Sequence, residues 1–167
     1  RPDLQVVPLR GNVDTRLGKV AAGEVDATFL ALAGLNRLGR GDTGAVPVPV
    51  EDMLPAVCQG IVGVERRSAD DRVAALLKPL NDSDAAICAA AERTLLAELD
   101  GSCRTPIAAL AEPSNGEMRF RAAIVRPDGS ELLETERAGP VTDAAVMGRD
   151  AADELRGRAG PGVFDEC

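Results

Sequence analysis

Apolar residues recur along this chain with two different periods, and the switches between them predict its elements. Leu4 to Leu9 is a short apolar run with Pro8 inside it; it reads as a strand, broken by Arg10-Gly11-Asn12. Val13, Leu17, Val20 and Ala21 then return at helical spacing, with Asn12 placed as N-cap and Gly23 as terminator. Asp26 to Leu32 reads as a buried strand, followed by Ala33-Gly34 and a helical turn through Leu35-Asn36-Arg37-Leu38. Strand, helix and strand at this spacing predict a βαβ unit, and so a parallel sheet. Residues 39–52 contain Gly39, Gly41, Gly44, Pro47 and Pro49 and read as a loop or linker.

The pattern then changes. Ile61 to Val64 reads as a strand, and Ser68 is placed to cap a helix from Ala69 to Leu77. An Ala/Leu-rich helix runs from Asp84 to Glu98 and stops at Asp100-Gly101. Strands follow near Ile107–Ala111, Met118–Val125 and Glu131–Arg137, with a Pro127-Asp128-Gly129 turn before the third. Thr142 is placed to cap a last helix reaching Leu155. Strands joined by hairpin turns between two helices predict a small antiparallel sheet covered by helices. The fold class is therefore α/β, with an α+β C-terminal domain.

Composition narrows the chemistry. A chain of 167 residues, 45% apolar, can form one large or two small packed domains. With three Phe and no Trp or Tyr, the core must be filled by Ala, Val and Leu. There is no histidine, which excludes Ser-His-Asp, Cys-His and His-metal chemistry within the chain. Cys58, Cys88, Cys103 and Cys167 are widely spaced and form no Cys-x-x-Cys pair, so neither a metal site nor a disulfide framework is expected. A reducing cytosol is the simplest compartment. No apolar run has membrane-spanning length and no signal peptide is visible, while the opening Arg1 suggests a natural start further upstream.

The net charge of −8 argues against a nucleic-acid binder. Residues 1–40 nevertheless carry +2, leaving −10 on the remainder. A locally basic region on an acidic chain suits a small anionic ligand. Arg outnumbers Lys by seventeen to two, and Arg grips carboxylates at two points. The predicted layout puts Arg10 at a strand end, Arg16 in the first turns of a helix and Arg37 after the next strand. Anions bind at such strand ends and helix N-termini, so all three can face one crevice; three solvated surface arginines would give the same sequence.

The second candidate is Leu99-Asp100-Gly101-Ser102-Cys103-Arg104-Thr105-Pro106-Ile107, a polar loop between a helix and a strand. Asp-Gly supplies the turn, and Arg104 beside the thiol favours the thiolate. Cys103 is a plausible nucleophile or attachment point, or a small residue at a turn.

Four blocks in order resemble the porphobilinogen deaminase (hydroxymethylbilane synthase) family. They are Leu9-Arg10-Gly11-Asn12-Val13-Asp14-Thr15-Arg16-Leu17; Ala31-Leu32-Ala33-Gly34-Leu35-Asn36-Arg37-Leu38-Gly39; Leu54-Pro55-Ala56-Val57-Cys58-Gln59-Gly60; and Ala91-Glu92-Arg93 leading to Asp100–Ile107. The resemblance covers nearly the whole chain and weakens after Leu155. It implies head-to-tail condensation of four porphobilinogen molecules with release of ammonia, in tetrapyrrole and haem biosynthesis. It also implies a dipyrromethane cofactor, thioether-linked through Cys103. Arg10, Arg16 and Arg37 take carboxylate-binding roles by the same match, with Gly11, Asn12, Thr15 and Gln59 in support. Cys58 stands where the family usually has glycine. The implied partner is porphobilinogen, without nucleic acid or membrane, in a cytoplasmic enzyme that is monomeric at full length.

By this resemblance, residues 1–54 match most of the family's second, anion-binding domain. Residues 55–80 match a segment returning to the first domain, and 81–167 match the third, cofactor-attachment domain. The first domain's Ser-x-Lys-Asp-x-Pro motif holds the main acid/base aspartate, and no Lys-Asp dipeptide occurs here. The expectation is therefore a partial three-domain enzyme, with no catalytic residue in this chain, inactive alone, and with apolar surface exposed around Ile61 to Val64. Such an aspartate stabilises charge on the pyrrole nitrogens and moves protons, while arginines only orient. Two other readings remain: a non-catalytic anion-binding module of the periplasmic-binding type, and a thiol enzyme using Cys103.

Overall fold

The computed structural model describes residues 3–101 and 105–160, in two compact units divided at Pro49/Val50. In the first unit, α1 spans Val13–Ala21 and α2 spans Leu32–Arg37. Asn12 caps α1 as expected: its Oδ1 accepts from the Thr15 backbone N–H at 2.9 Å and from Thr15 Oγ1 at 2.8 Å. Asp14 in the first turn and Lys19 in the last complement the helix dipole. A side chain at Gly11, where φ is +131°, would collide with Thr15 Cγ2, so glycine is required there.

The flanking strands of the expected βαβ unit do not form. Residues 4–9 and 26–31 run without ladder pairing among the described residues, and Leu32 already belongs to α2. Apolar alternation supplies a strand's faces, but its backbone still needs a partner, and these segments find none. Val6 is left 97% exposed, and Leu35 is the one buried side chain among residues 3–49.

The second unit matches expectation more closely. Helix α3 covers Asp71–Leu77, and a single 3-10 turn at Lys78–Leu80 leads towards α4, Ser83–Glu98. Asp70, rather than Ser68, caps α3, accepting from the Val73 N–H at 2.9 Å. Three strands follow: β1, Ile107–Ser114; β2, Glu117–Val125; and β3, Leu132–Pro140. They form an antiparallel meander in the order β1-β2-β3. Asn115-Gly116, both at positive φ, makes the first hairpin turn. Asp128 Oδ1 accepts from the Ser130 N–H in the second, where Gly129 has φ +74°.

Helix α5 spans Ala144–Ala159 after a 3-10 turn at Val141–Asp143, so Thr142 lies ahead of the helix and does not cap it. Helices α4 and α5 pack on one face of the sheet. Ile107, Ala109 and Ala111 of β1 meet Phe120, Ala122 and Ile124 of β2, with Leu95, Leu99 and Leu155 above them. The expected strand at 61–64 is absent: the segment makes no ladder or bridge among the described residues, and Val62 and Val64 stay exposed. No helix among the described residues is long and apolar enough to cross a membrane.

Candidate functional site

The first unit places Arg10, Gly11, Asn12, Thr15 and Arg16 at the start of α1, and Arg37 as the last residue of α2. Arg10 and Arg37 are exposed and have no side-chain hydrogen bond or ion pair among the described residues. Arg16 is half-buried and pinned: its Nη2 donates to the Phe29 carbonyl at 2.5 Å and to Thr28 Oγ1 at 3.3 Å. Its Nε is buried with no partner. The guanidinium is thus fixed in orientation while keeping donors unspent. Asn12 and Thr15 are occupied with each other and hold the helix start. Arg40, given no role above, pairs with Asp14 at 2.6 Å, a surface contact of little energy.

In the second unit, Gln59 sits exposed on a turn in which its own N–H donates to the Ala56 carbonyl at 3.0 Å. Cys58, just before it, has φ +57°, the region that glycine occupies without strain. The backbone conformation at this position therefore favours glycine, whatever the side chain contributes. The Cys103 assignment lies outside the described residues; before it α4 ends at Glu98 with Leu99 as its C-cap, and after it β1 begins at Ile107.

Sequence reasoning gave no role to Glu92, which is 4% exposed on α4. Its Oε2 accepts from the Cys58 N–H at 2.5 Å and its Oε1 from the Ala111 N–H at 3.0 Å. Burial pushes its carboxyl above the usual range, partly offset by those two donors. The signal was present: Cys88, Ala91, Glu92, Leu95 and Leu99 fall on one helical stripe, so the acid lies among inward positions. Burial, with Glu92 adding to it, also raises the thiols of Cys58 and Cys88, so neither is poised as a thiolate.

Cavities of about 450 and 280 Å³ lie in the second unit, one lined by α4 and Arg149, the other by Glu51, Arg121 and Glu134. Neither includes a residue assigned to the site. No cluster of potential metal ligands occurs among the described residues.

Residues 1–75 match the family model described as porphobilinogen deaminase, dipyromethane cofactor binding domain, which takes in Arg10, Arg16, Arg37 and Gln59. Residues 86–157 match porphobilinogen deaminase, C-terminal domain, which takes in Cys103. A porphobilinogen deaminase of Paracoccus denitrificans is 54% identical over 165 residues, 99% of this chain and 53% of the relative. One from Nitrobacter hamburgensis is 51% identical over 164 residues, 98% of this chain and 52% of the relative. A chloroplastic porphobilinogen deaminase of Oryza sativa subsp. japonica is 50% identical over 167 residues, 98% of this chain and 47% of the relative. The chain spans about half the length of these curated relatives. Two successive domain models of one enzyme, with relatives of the same name along nearly all of its residues, show that the chain belongs to the porphobilinogen deaminase family.

Proposed function

We propose that this chain is the cofactor-holding and carboxylate-gripping part of a hydroxymethylbilane synthase. The reaction is the stepwise head-to-tail condensation of four porphobilinogen molecules with release of ammonia, in the cytoplasm, by an enzyme monomeric at full length. The observation that carries this reading is the span of the match, which takes in both structural units. The division of labour follows the resemblance. Residues 1–54 grip anions, 55–80 belong with a first domain, and 81–167 attach the cofactor.

The residues present fit a dipyrromethane with carboxylate arms. Arg10 and Arg37 offer guanidiniums uncommitted among the described residues, and Arg16 is oriented by the Phe29 carbonyl with donors to spare. Cys103 supplies the sulfur for a thioether. Bound there, the group would provide the terminal pyrrole on which the chain grows. The arginines orient carboxylates and hold the acidic intermediates in place. No residue here takes the acid/base role, because the Lys-Asp motif is not encoded. The 167-residue chain should therefore consume no porphobilinogen; turnover at a rate normal for its relatives would refute this.

The arginines are tested in a protein of the relatives' full length. Arg10→Lys and Arg16→Lys should each lower kcat/KM roughly ten- to a hundred-fold, because lysine cannot make the planar two-point contact. Arg72→Lys, outside the proposed site, should change nothing. Equal and negligible effects at all three positions would reject the assignment.

A further inference from the structure

Strand β1 is an edge of the sheet, and its outward backbone groups need partners. A turn and a helix supply them. The Ala109 N–H donates to the Pro55 carbonyl at 3.0 Å, and Ala56 pairs with Ala108 as an isolated antiparallel bridge. Two residues on, the Ala111 N–H donates to Glu92 Oε1, and Cys88 Sγ donates to the Ala111 carbonyl at 3.3 Å. The Glu92 carboxylate thus stands where the carbonyl of a fourth strand would stand. Its second oxygen takes the Cys58 N–H, one residue before Gln59.

A buried carboxylate is costly to keep, and no cation pairs with Glu92 among the described residues. Two backbone donors offset that cost only while both stay in place, so the carboxylate and the turn fix each other. A carboxylate that merely filled space here would be replaced without loss by an apolar side chain of the same size.

We propose that Glu92 is a positioning residue, whose carboxylate locks the Cys58–Gln59 turn onto α4 and the edge of β1. Those are the two elements that bracket Cys103 in the chain. The part of the proposal that concerns ligand rests on the reading above, in which Cys103 carries a pyrrole cofactor and Gln59 serves it.

Amide hydrogen exchange of the 167-residue chain tests the lock. In Glu92→Gln, which keeps the shape but turns an NH2 towards one of the two N–H groups, protection should fall about tenfold or more at Cys58 or at Ala111, whichever N–H loses its acceptor. Glu92→Asp, one methylene short, should not restore it. The Leu95 and Phe120 amides should keep their protection, and Glu98→Gln on the same helix should change nothing. Unchanged protection at both Cys58 and Ala111 in Glu92→Gln overturns the proposal. Should that variant not fold, the wild-type chain decides: a scalar coupling across the hydrogen bond from Cys58 nitrogen to the Glu92 carboxyl carbon supports the lock, and its absence overturns it. Porphobilinogen should shift the Gln59 side-chain amide signal in the wild type and not in Glu92→Gln. A wild-type Gln59 that ignores porphobilinogen, beside a Cys58 amide still dependent on Glu92, counts against the functional reading and leaves the lock standing.

Discussion

Glu154 on α5 collects three donors: Thr135 Oγ1, Arg137 Nη2 and Arg158 Nη1, each at 2.7 Å. Together they hold its carboxyl down to about 2, against an ordinary 4.5. A carboxyl depressed in the folded state stabilises it above the unfolded value and loses that contribution as pH falls through the folded value. Thermal melts should therefore show Glu154→Gln less stable than wild type at pH 7, with the gap closing from about pH 4.5 towards 2. A gap independent of pH would contradict the network. Glu92 acts with the opposite sign: its raised carboxyl favours the folded state at low pH and loses that contribution as pH rises through the raised value. At Cys58 the left-handed backbone predicts that Cys58→Gly melts no lower than wild type, whereas Cys58→Val, β-branched at positive φ, melts lower. A lower melt for the glycine variant would mean that the thiol's packing outweighs the backbone strain. Residues whose role is local were legible in sequence, such as Asn12 at its cap and Asp128-Gly129 in its turn. Glu92 was not singled out, because its two partners lie 34 and 19 positions away.

Helices α4 and α5 approach closely because Gly148 has no side chain: a Cβ there would overlap the Ala91 carbonyl. Gly148→Ala should cost about 1–3 kcal/mol by overpacking against rigid backbone. Gly157, on the same helix with open space around it, makes the contrast. Gly157→Ala should gain up to about 1 kcal/mol through helix propensity. Denaturant midpoints measure both, and a neutral Gly148→Ala would mean the helices can separate freely. The sheet and its two helices were readable because both strand ladders join successive strands and each turn carries its own residues. Residues 4–9, 26–32 and 61–64 have the same apolar pattern and form no strand. Periodicity reports a face to bury, and says nothing of whether a partner backbone is there to receive it.

At the scale of the whole chain the two units differ in what holds them. Residues 3–49 bury Leu35 alone, while the second unit buries Phe120, Leu95, Leu155 and a set of alanines around them. Amides in the first unit should exchange far faster than those of β2 and α4, and equal protection would contradict this. Val62 and Val64 leave an exposed apolar stretch, so the chain alone should self-associate in sedimentation as its concentration rises. Of the proposed chemistry, the carboxylate grip would rest on the first unit and the covalent attachment on Cys103. Intact mass, in a protein of the relatives' full length, tests that attachment most directly. The mass should exceed that of the polypeptide by one dipyrromethane and stay so after denaturation, because a thioether is not released by unfolding. Cys103→Ala should lose the addition, while Cys58→Ala and Cys88→Ala should keep it. An added mass that survives Cys103→Ala, or maps to another cysteine, would contradict the assignment.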